Sequence, residues 1–230
     1  MKPVIRVVDL WKQYGEDGQN GIALRGTNLE VSAGEVVALF GKSGSGKTTL
    51  LNLIAGLDRP TKGIIELEGH NLENLGEKGR TDLRRRRLGF IFQFFNLLPT
   101  LTALENVYLS VELLGKSDRK AAEDSLAAVG LEGKGSRYPH ELSGGEQQRV
   151  AIARAIVKEP SLILADEPTG NLDTATGNQI LELLQRRCRE HNMSLVMVTH
   201  TPLTCKFADR ILRMVVGVIT EPTSCTEIEH

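Results

Sequence analysis

Three short stretches of this chain hold residue types suited to phosphate chemistry. The first is "ALFGKSGSGKTTLLNLI", where Gly41, Gly44, Gly46, Lys47 and Thr48 fall in a G-x-x-x-x-G-K-[ST] spacing between an apolar strand pattern and a helix pattern. Glycines at these places let the backbone turn sharply and aim several N–H groups inward, and the following helix adds its positive end. A polyphosphate suits such a cradle, which takes in Ser43 and Thr49 as well. Lys47 is placed to neutralise the β- and γ-phosphates, and Thr48 to ligate Mg²⁺. The expected ligand is therefore a nucleoside triphosphate with Mg²⁺.

The second stretch, "SLILADEPTGNLD", is an apolar strand pattern ending in Asp166 and Glu167. Ligands of open α/β sheets bind at the carboxyl ends of strands. Asp166 is the expected metal ligand, and Glu167, one residue further, the group that polarises a water for attack on the γ-phosphate. The third stretch is "LSGGEQQR". Ser143 and Glu146 have capping-box spacing before the apolar "VAIARAIV". Gly144 and Gly145 leave N–H groups uncovered at a helix start. This is a possible second anion site or simply a capped helix; the residues alone do not say whose phosphate it meets.

Positioning these groups requires a scaffold, and the rest of the chain supplies its pattern. "VIRVVDL", "EVVALF", "GIIELEG", "LGFIFQ", "SLILADE" and "MSLVMVTH" read as strands, several of them continuous apolar runs of the kind buried on both faces of a parallel sheet. "TTLLNLIAGL" reads as a helix stopped at Gly56 and Pro60, and "RKAAEDSLAAVGL" and "QILELLQRRCRE" as amphipathic helices. Residues up to about 70 suggest a small antiparallel element, and residues from about 94 to 150 an inserted helical lobe. The fold class is α/β: a P-loop NTPase core with a parallel sheet, an antiparallel β subdomain and an inserted α-helical subdomain, in one domain over 1–230. The polar tail after Gly217 reads as disordered or as an appended remnant.

Bulk properties narrow the function. The 230 residues carry a net charge of -1, which argues against nucleic acid as the main partner. No apolar run reaches the roughly 18 residues of a membrane span, and the start lacks the apolar block of a signal peptide. Cys188, Cys205 and Cys225 read as reduced thiols without metal spacing. The run Arg84–Arg87 reads as a solvated helix end, with nucleic-acid binding the weaker alternative.

In this order, "GKSGSGKT", "LSGGEQQR" and "LILADE" resemble the ATP-binding cassette (ABC) ATPases over nearly the whole chain. The resemblance implies ATP as the nucleotide. It also implies a head-to-tail dimer in which the first loop of one subunit and Ser143–Gly144–Gly145 of the other grip the same γ-phosphate. It gives Gln93 a role at Mg²⁺ or water and His200 a place near the γ-phosphate. Asp173 becomes a residue crossing the dimer interface, and Tyr14 the ring that stacks on adenine. Thr201 after His200 and Val215–Val216 before Gly217 depart from the family pattern, which has Asp and a charged turn there.

"DEPTGNLD", "GLDRPTKG" and "FNLLPTLTALENV" resemble the lipoprotein-releasing and macrolide-export cassettes. The implied partner is an integral membrane permease with few membrane helices and a large extracytoplasmic domain, and the implied location is peripheral, on the cytoplasmic face of the membrane. A related cassette that regulates cell-wall hydrolases is the alternative, and a soluble ribosome-linked or nucleic-acid-linked ATPase a more distant one. Phe94, Phe95, Leu97 and Leu98 read equally as core or as the border of a groove for a permease helix.

Overall fold

The computed structural model describes residues 3–15 and 21–221. In chain order the elements are β1 (Ile5–Gln13), β2 (Ile22–Val31), β3 (Val36–Phe40), α1 (Lys47–Ile54), β4 (Lys62–Leu67), β5 (His70–Asn71), α2 (Glu77–Arg87), β6 (Leu88–Ile91), α3 (Ala103–Glu112), α4 (Arg119–Ala128), α5 (Gly144–Ile156), β7 (Leu162–Asp166), α6 (Thr174–Glu190), β8 (Ser194–Thr199), β9 (Arg210–Val215) and β10 (Val218–Thr220). One sheet is antiparallel in the order β2-β1-β4-β5; the other runs β10-β9-β3-β8-β7-β6. In the second sheet β9, β3, β8, β7 and β6 are parallel, and β10 closes the edge as the antiparallel arm of a hairpin.

Apolar runs become central strands here because both faces of this sheet are covered. Along β3, Val36, Ala38 and Phe40 point into a core shared with α3–α6, while Val37 and Leu39 point into a second core shared with α1 and the antiparallel sheet. Strands β7 and β8 divide the same way: Ile163, Ala165, Leu195 and Met197 to the first core, Leu162, Leu164, Val196 and Val198 to the second. The period-two alternation of side chains makes each strand a partition between the two cores. Each fully buried aliphatic side chain contributes about 1.5–3 kcal/mol, so the register of these strands is strongly specified.

That register sets the site. Phe40 pairs with Thr199, and Val198 pairs with Asp166, so β3, β8 and β7 end level with one another. The next residues, Gly41, His200 and Glu167, all emerge from the same edge. Strand β6 joins β7 through Ile91 and Ala165, which brings Gln93 to that edge too.

One sequence expectation is adjusted. The tail after Gly217 is structured through Val218–Thr220, where it pairs with β9; Cys225 and residues 222–230 lie outside the described residues. The turn before β10 takes Val216 into the left-handed region, with φ 46°, and holds it there because Gly217 N–H donates to the Ser45 carbonyl at 2.9 Å while the Gly217 carbonyl accepts from Thr27 Oγ1 at 2.6 Å. Thr201 settles the other departure locally: its N–H donates to Thr199 Oγ1, and its carbonyl accepts from Thr204. The Arg84–Arg87 run closes α2, and each arginine meets a carboxylate: Arg84 meets Glu77, Arg85 and Arg86 share Asp82, and Arg87 meets Glu68.

Helices α3, α4 and α5 pack on one another. The loop leading to α3 is stapled from inside by Asn106, which is 1% exposed. Its Oδ1 accepts from Leu98 N–H, and its Nδ2 donates to the carbonyls of Leu98, Leu101 and Thr102. Replacing Asn106 by Ala strands these buried backbone groups, and we expect a loss of about 2–4 kcal/mol in unfolding free energy. Urea denaturation followed by circular dichroism measures it; a loss below about 1 kcal/mol would mean the loop holds without this amide.

Candidate active site

The loop between β3 and α1 wraps a helix start in backbone. Gly46, the residue before α1, has φ 108°, and a Cβ there would lie 2.5 Å from the Ala23 carbonyl oxygen, so only glycine fits. Lys47, 8% exposed, folds back along the loop: its Nζ donates to the carbonyls of Gly41 at 2.7 Å and Lys42 at 3.2 Å. Burial draws the Lys47 pKa down, while Glu167 and Asp166 oppose the shift. The ammonium is thus held at the floor of a cradle of N–H groups, the environment an anionic phosphate chain favours.

Lys47 and Thr48 line a cleft of about 690 Å³ with Ser43, Gly44, Gly46, Thr49, Gln93, Asp166, Glu167 and His200. The strand register accounts for this convergence. Asp166 shares a hydrogen bond with Thr48; burial raises its pKa, and the Thr48 bond offsets part of the rise. A hydroxyl, a carboxylate and the Gln93 side-chain amide form a set of hard oxygen donors, which fits Mg²⁺. Glu167 sits with φ 47° and its carboxylate turned to His200: Oε1 lies 2.8 Å from Nδ1, and Oε2 accepts the His200 backbone N–H at 3.3 Å. A left-handed glutamate immediately before a proline is disfavoured twice by local sterics. Such strain persists only where surrounding contacts over-determine it, and it clusters where chemistry is done.

The other predicted site residues lie around or away from the cleft. Gly41 borders the adjoining cavity on the far side of the loop. Tyr14 is half exposed at the rim; it shares a hydrogen bond with Thr49, and its hydroxyl donates to Asp58 Oδ2 at 2.9 Å. Burial raises its pKa, with Asp58 adding to the rise. Lys12 Nζ stands 4.7 Å from its ring centroid.

Ser143, Gly144 and Gly145 do not line the cleft. Ser143 caps α5 in a full capping box with Glu146, whose carboxyl is lowered to about 2 by Lys134 first and then by the Ser143 N–H and hydroxyl. Gly145 packs close to α6: a Cβ there would lie 2.7 Å from Thr176 Cγ2 and would oblige that side chain to move. Asp173 also stands outside the cleft and caps α6 with its carboxylate, accepting from Ala175 and Thr176 N–H, with its pKa drawn down by Thr176.

Three residues went unread in the sequence. Asn171 Nδ2 donates to the Gln93 carbonyl at 2.7 Å and fixes the turn that carries Gln93. Asp58 anchors both Tyr14 and Lys12. Gln148 lies buried on α5. All three lie inside the motif stretches, Asn171 in "DEPTGNLD", Asp58 in "GLDRPTKG" and Gln148 in "LSGGEQQR", but their roles come from contacts with residues 20 or more positions away, which spacing does not show.

Comparison with known proteins sets this geometry in context. The ABC transporter family model matches residues 24–170. The lipoprotein-releasing system ATP-binding protein LolD of Geobacter metallireducens is 46% identical over 220 residues, covering 94% of this chain and 98% of that protein. The macrolide export ATP-binding/permease protein MacB of Rhodopirellula baltica is 46% identical over 95% of this chain and 33% of its own greater length. Among solved structures, a dimeric post-hydrolysis form of the ATP-binding cassette MJ0796 bound to ADP and Pi superposes with a TM-score of 0.86 at 39% identity, covering 94% of this chain and 98% of that one. A cradle at the carboxyl edge of a parallel sheet, a family match over most of the chain and full-length relatives at this identity lead to one conclusion: the chain belongs to the ABC transporter family as an ATP-binding cassette of the lipoprotein-releasing and macrolide-export type.

Proposed function

We propose that this chain is the ATP-hydrolysing subunit of a transporter, working as a head-to-tail pair with two ATPs held between the copies. One observation carries the proposal. The cleft gathers the cradle, the carboxylates and His200 on one copy, while the second glycine turn, Ser143–Gly145, lies outside it. A second copy places its own turn over that cleft and completes the grip on the γ-phosphate. The chain reads as one nucleotide-binding domain over 1–230, whose helical subdomain, about 94–150, presents this turn to its neighbour.

Within the pair, the cradle N–H groups and Lys47 hold the β- and γ-phosphates. Ser43, Gly44, Gly46 and Thr49 shape the cradle, and Tyr14 stacks on the adenine. Thr48, Asp166 and Gln93 would hold Mg²⁺, which supplies charge neutralisation at the phosphates. Glu167 takes a proton from the attacking water, and His200 keeps its carboxylate turned toward the phosphate. Asp173 stands at the start of α6, beside the Ser143–Gly145 turn, where the copies meet. Catalysis is mainly positioning and charge stabilisation.

The partner is a membrane permease. The names of the relatives, a lipoprotein-releasing system ATP-binding protein and a macrolide export ATP-binding/permease protein, support a permease as the translocating or force-transmitting part, with this cassette at its cytoplasmic face; among the described residues no helix is long and apolar enough to cross a membrane. Support comes from a cavity of about 310 Å³ lined by Leu57, Phe90, Phe92, Arg154 and Lys158, with Phe94 standing 71% exposed next to it. Apolar walls of that size suit a short helix from a permease. Export, lipoprotein release or mechanotransmission is the output the relatives suggest.

Two variants test the chemistry. Glu167→Gln keeps ATP binding and lowers turnover by about 100-fold or more, and it accumulates an ATP-bound dimer on size exclusion. Near-normal turnover would remove Glu167 from the role of base. Ser143→Arg puts a long cation where the neighbour's phosphate must dock. We expect unchanged nucleotide binding by the monomer, measured by fluorescent-nucleotide titration, with ATPase activity down by about tenfold or more. Full activity in that variant would show that the turn does not serve the second site.

A further inference from the structure

Gln148 is fully buried on α5, one turn beyond the Gly-Gly pair. Its Nε2 donates to the carbonyl of Pro168 at 2.6 Å. Its Oε1 is buried with no hydrogen-bond partner. A buried amide with half its capacity unused costs stability, and a methionine of similar volume would fill the space without that cost. A polar group kept in such a place calls for a reason other than packing.

The carbonyl it holds belongs to the residue after Glu167. The Glu167 turn is tied on every side. Its N–H donates to Val198 on β8 at 2.9 Å, and its carbonyl accepts from Gly170 N–H at 3.0 Å. Its carboxylate meets His200. The Pro168 carbonyl is held by Gln148 from α5. Without that last tie, the Pro168–Thr169 peptide loses its anchor to α5, and fewer contacts hold Glu167 in the left-handed conformation against the extended one that a residue before proline prefers. Such a rotation swings the Glu167 carboxylate out of the cleft while leaving the phosphate cradle untouched.

We propose that Gln148 is a positioning residue for hydrolysis: by holding the Pro168 carbonyl it fixes the backbone turn that aims Glu167 at the attacking water. The proposal rests on the reading of Glu167 as the base. It separates aim from binding, because Gln148 touches neither the cradle nor the metal-binding set.

The test is steady-state ATPase kinetics of the full-length protein, with Gln148→Met and Gln148→Asn beside wild type, together with thermal melting. Met keeps the volume and loses the donor; Asn keeps the amide but falls one methylene short of Pro168. We expect both to lower kcat by about tenfold or more with KM for ATP within about twofold of wild type, and Gln148→Met to melt close to wild type. A kcat within about twofold of wild type in either folded variant would overturn the proposal. So would a loss shared equally between KM and melting temperature, which marks a structural role alone. An inactive wild-type protein would sink the parent reading as well, whereas active wild type with equally active variants sinks this inference only.

Discussion

The level ending of β3, β8 and β7 is the constraint on which the rest of this molecule depends. Phe40, Thr199 and Asp166 stand in neighbouring register positions, so the chain leaves the sheet three times at one edge. The phosphate cradle, His200 and the carboxylate pair meet there for that reason alone. A slip of one residue in any of these strands would exchange its two core faces and withdraw its functional residue from the cleft. The deep burial of alternate side chains on both faces makes such a slip costly. Packing energy spent far from the chemistry is thus what holds the chemistry in place.

The second organising feature is the separation of the two glycine turns. One opens α1 inside the cleft, and the other opens α5 outside it. Both use the same physics, uncovered N–H groups at the positive end of a helix, but they face different surfaces. A capping box satisfies the Ser143 and Glu146 N–H groups within the chain, so the turn is held without help from a neighbour, as the proposed pairing requires. Gly145 packs close to α6, and the Gln148–Pro168 bond ties α5 to the turn carrying Glu167. Under the proposed pairing, the surface offered to a partner and the turn carrying the proposed base are thus joined through one buried side-chain hydrogen bond.

Much of this was legible in sequence because it is local. The phosphate loop, the carboxylates after "LILA" and the capping box at Ser143 are spacings, and spacing survives folding. Central strands announced themselves as unbroken apolar runs. What escaped notice depends on contacts between distant residues. Strand β2 (Ile22–Val31) was not read, because Gly26 and polar residues interrupt its pattern, and its pairing with β1 runs through register shifts. Strand β10 was read as tail, because its identity comes from β9 and from Gly217 touching Thr27 and Ser45. Asn171 and Gln148 stand inside the motif stretches, yet only the fold shows which distant backbone groups they hold; Asn106 holds a nearby loop, which its spacing does not announce.

The central claim is that each catalytic site is assembled from two copies. Mixing two inactive variants tests it most directly. Lys47→Ala disables the cradle, and Ser143→Arg disables the turn offered to the neighbour. In a mixed pair, the intact cradle of one copy faces the intact turn of the other, so one of two sites is whole. ATPase activity should return on mixing, up to about a quarter of wild type at equal amounts if pairing is random. A mixture as inactive as its separate components would contradict the account.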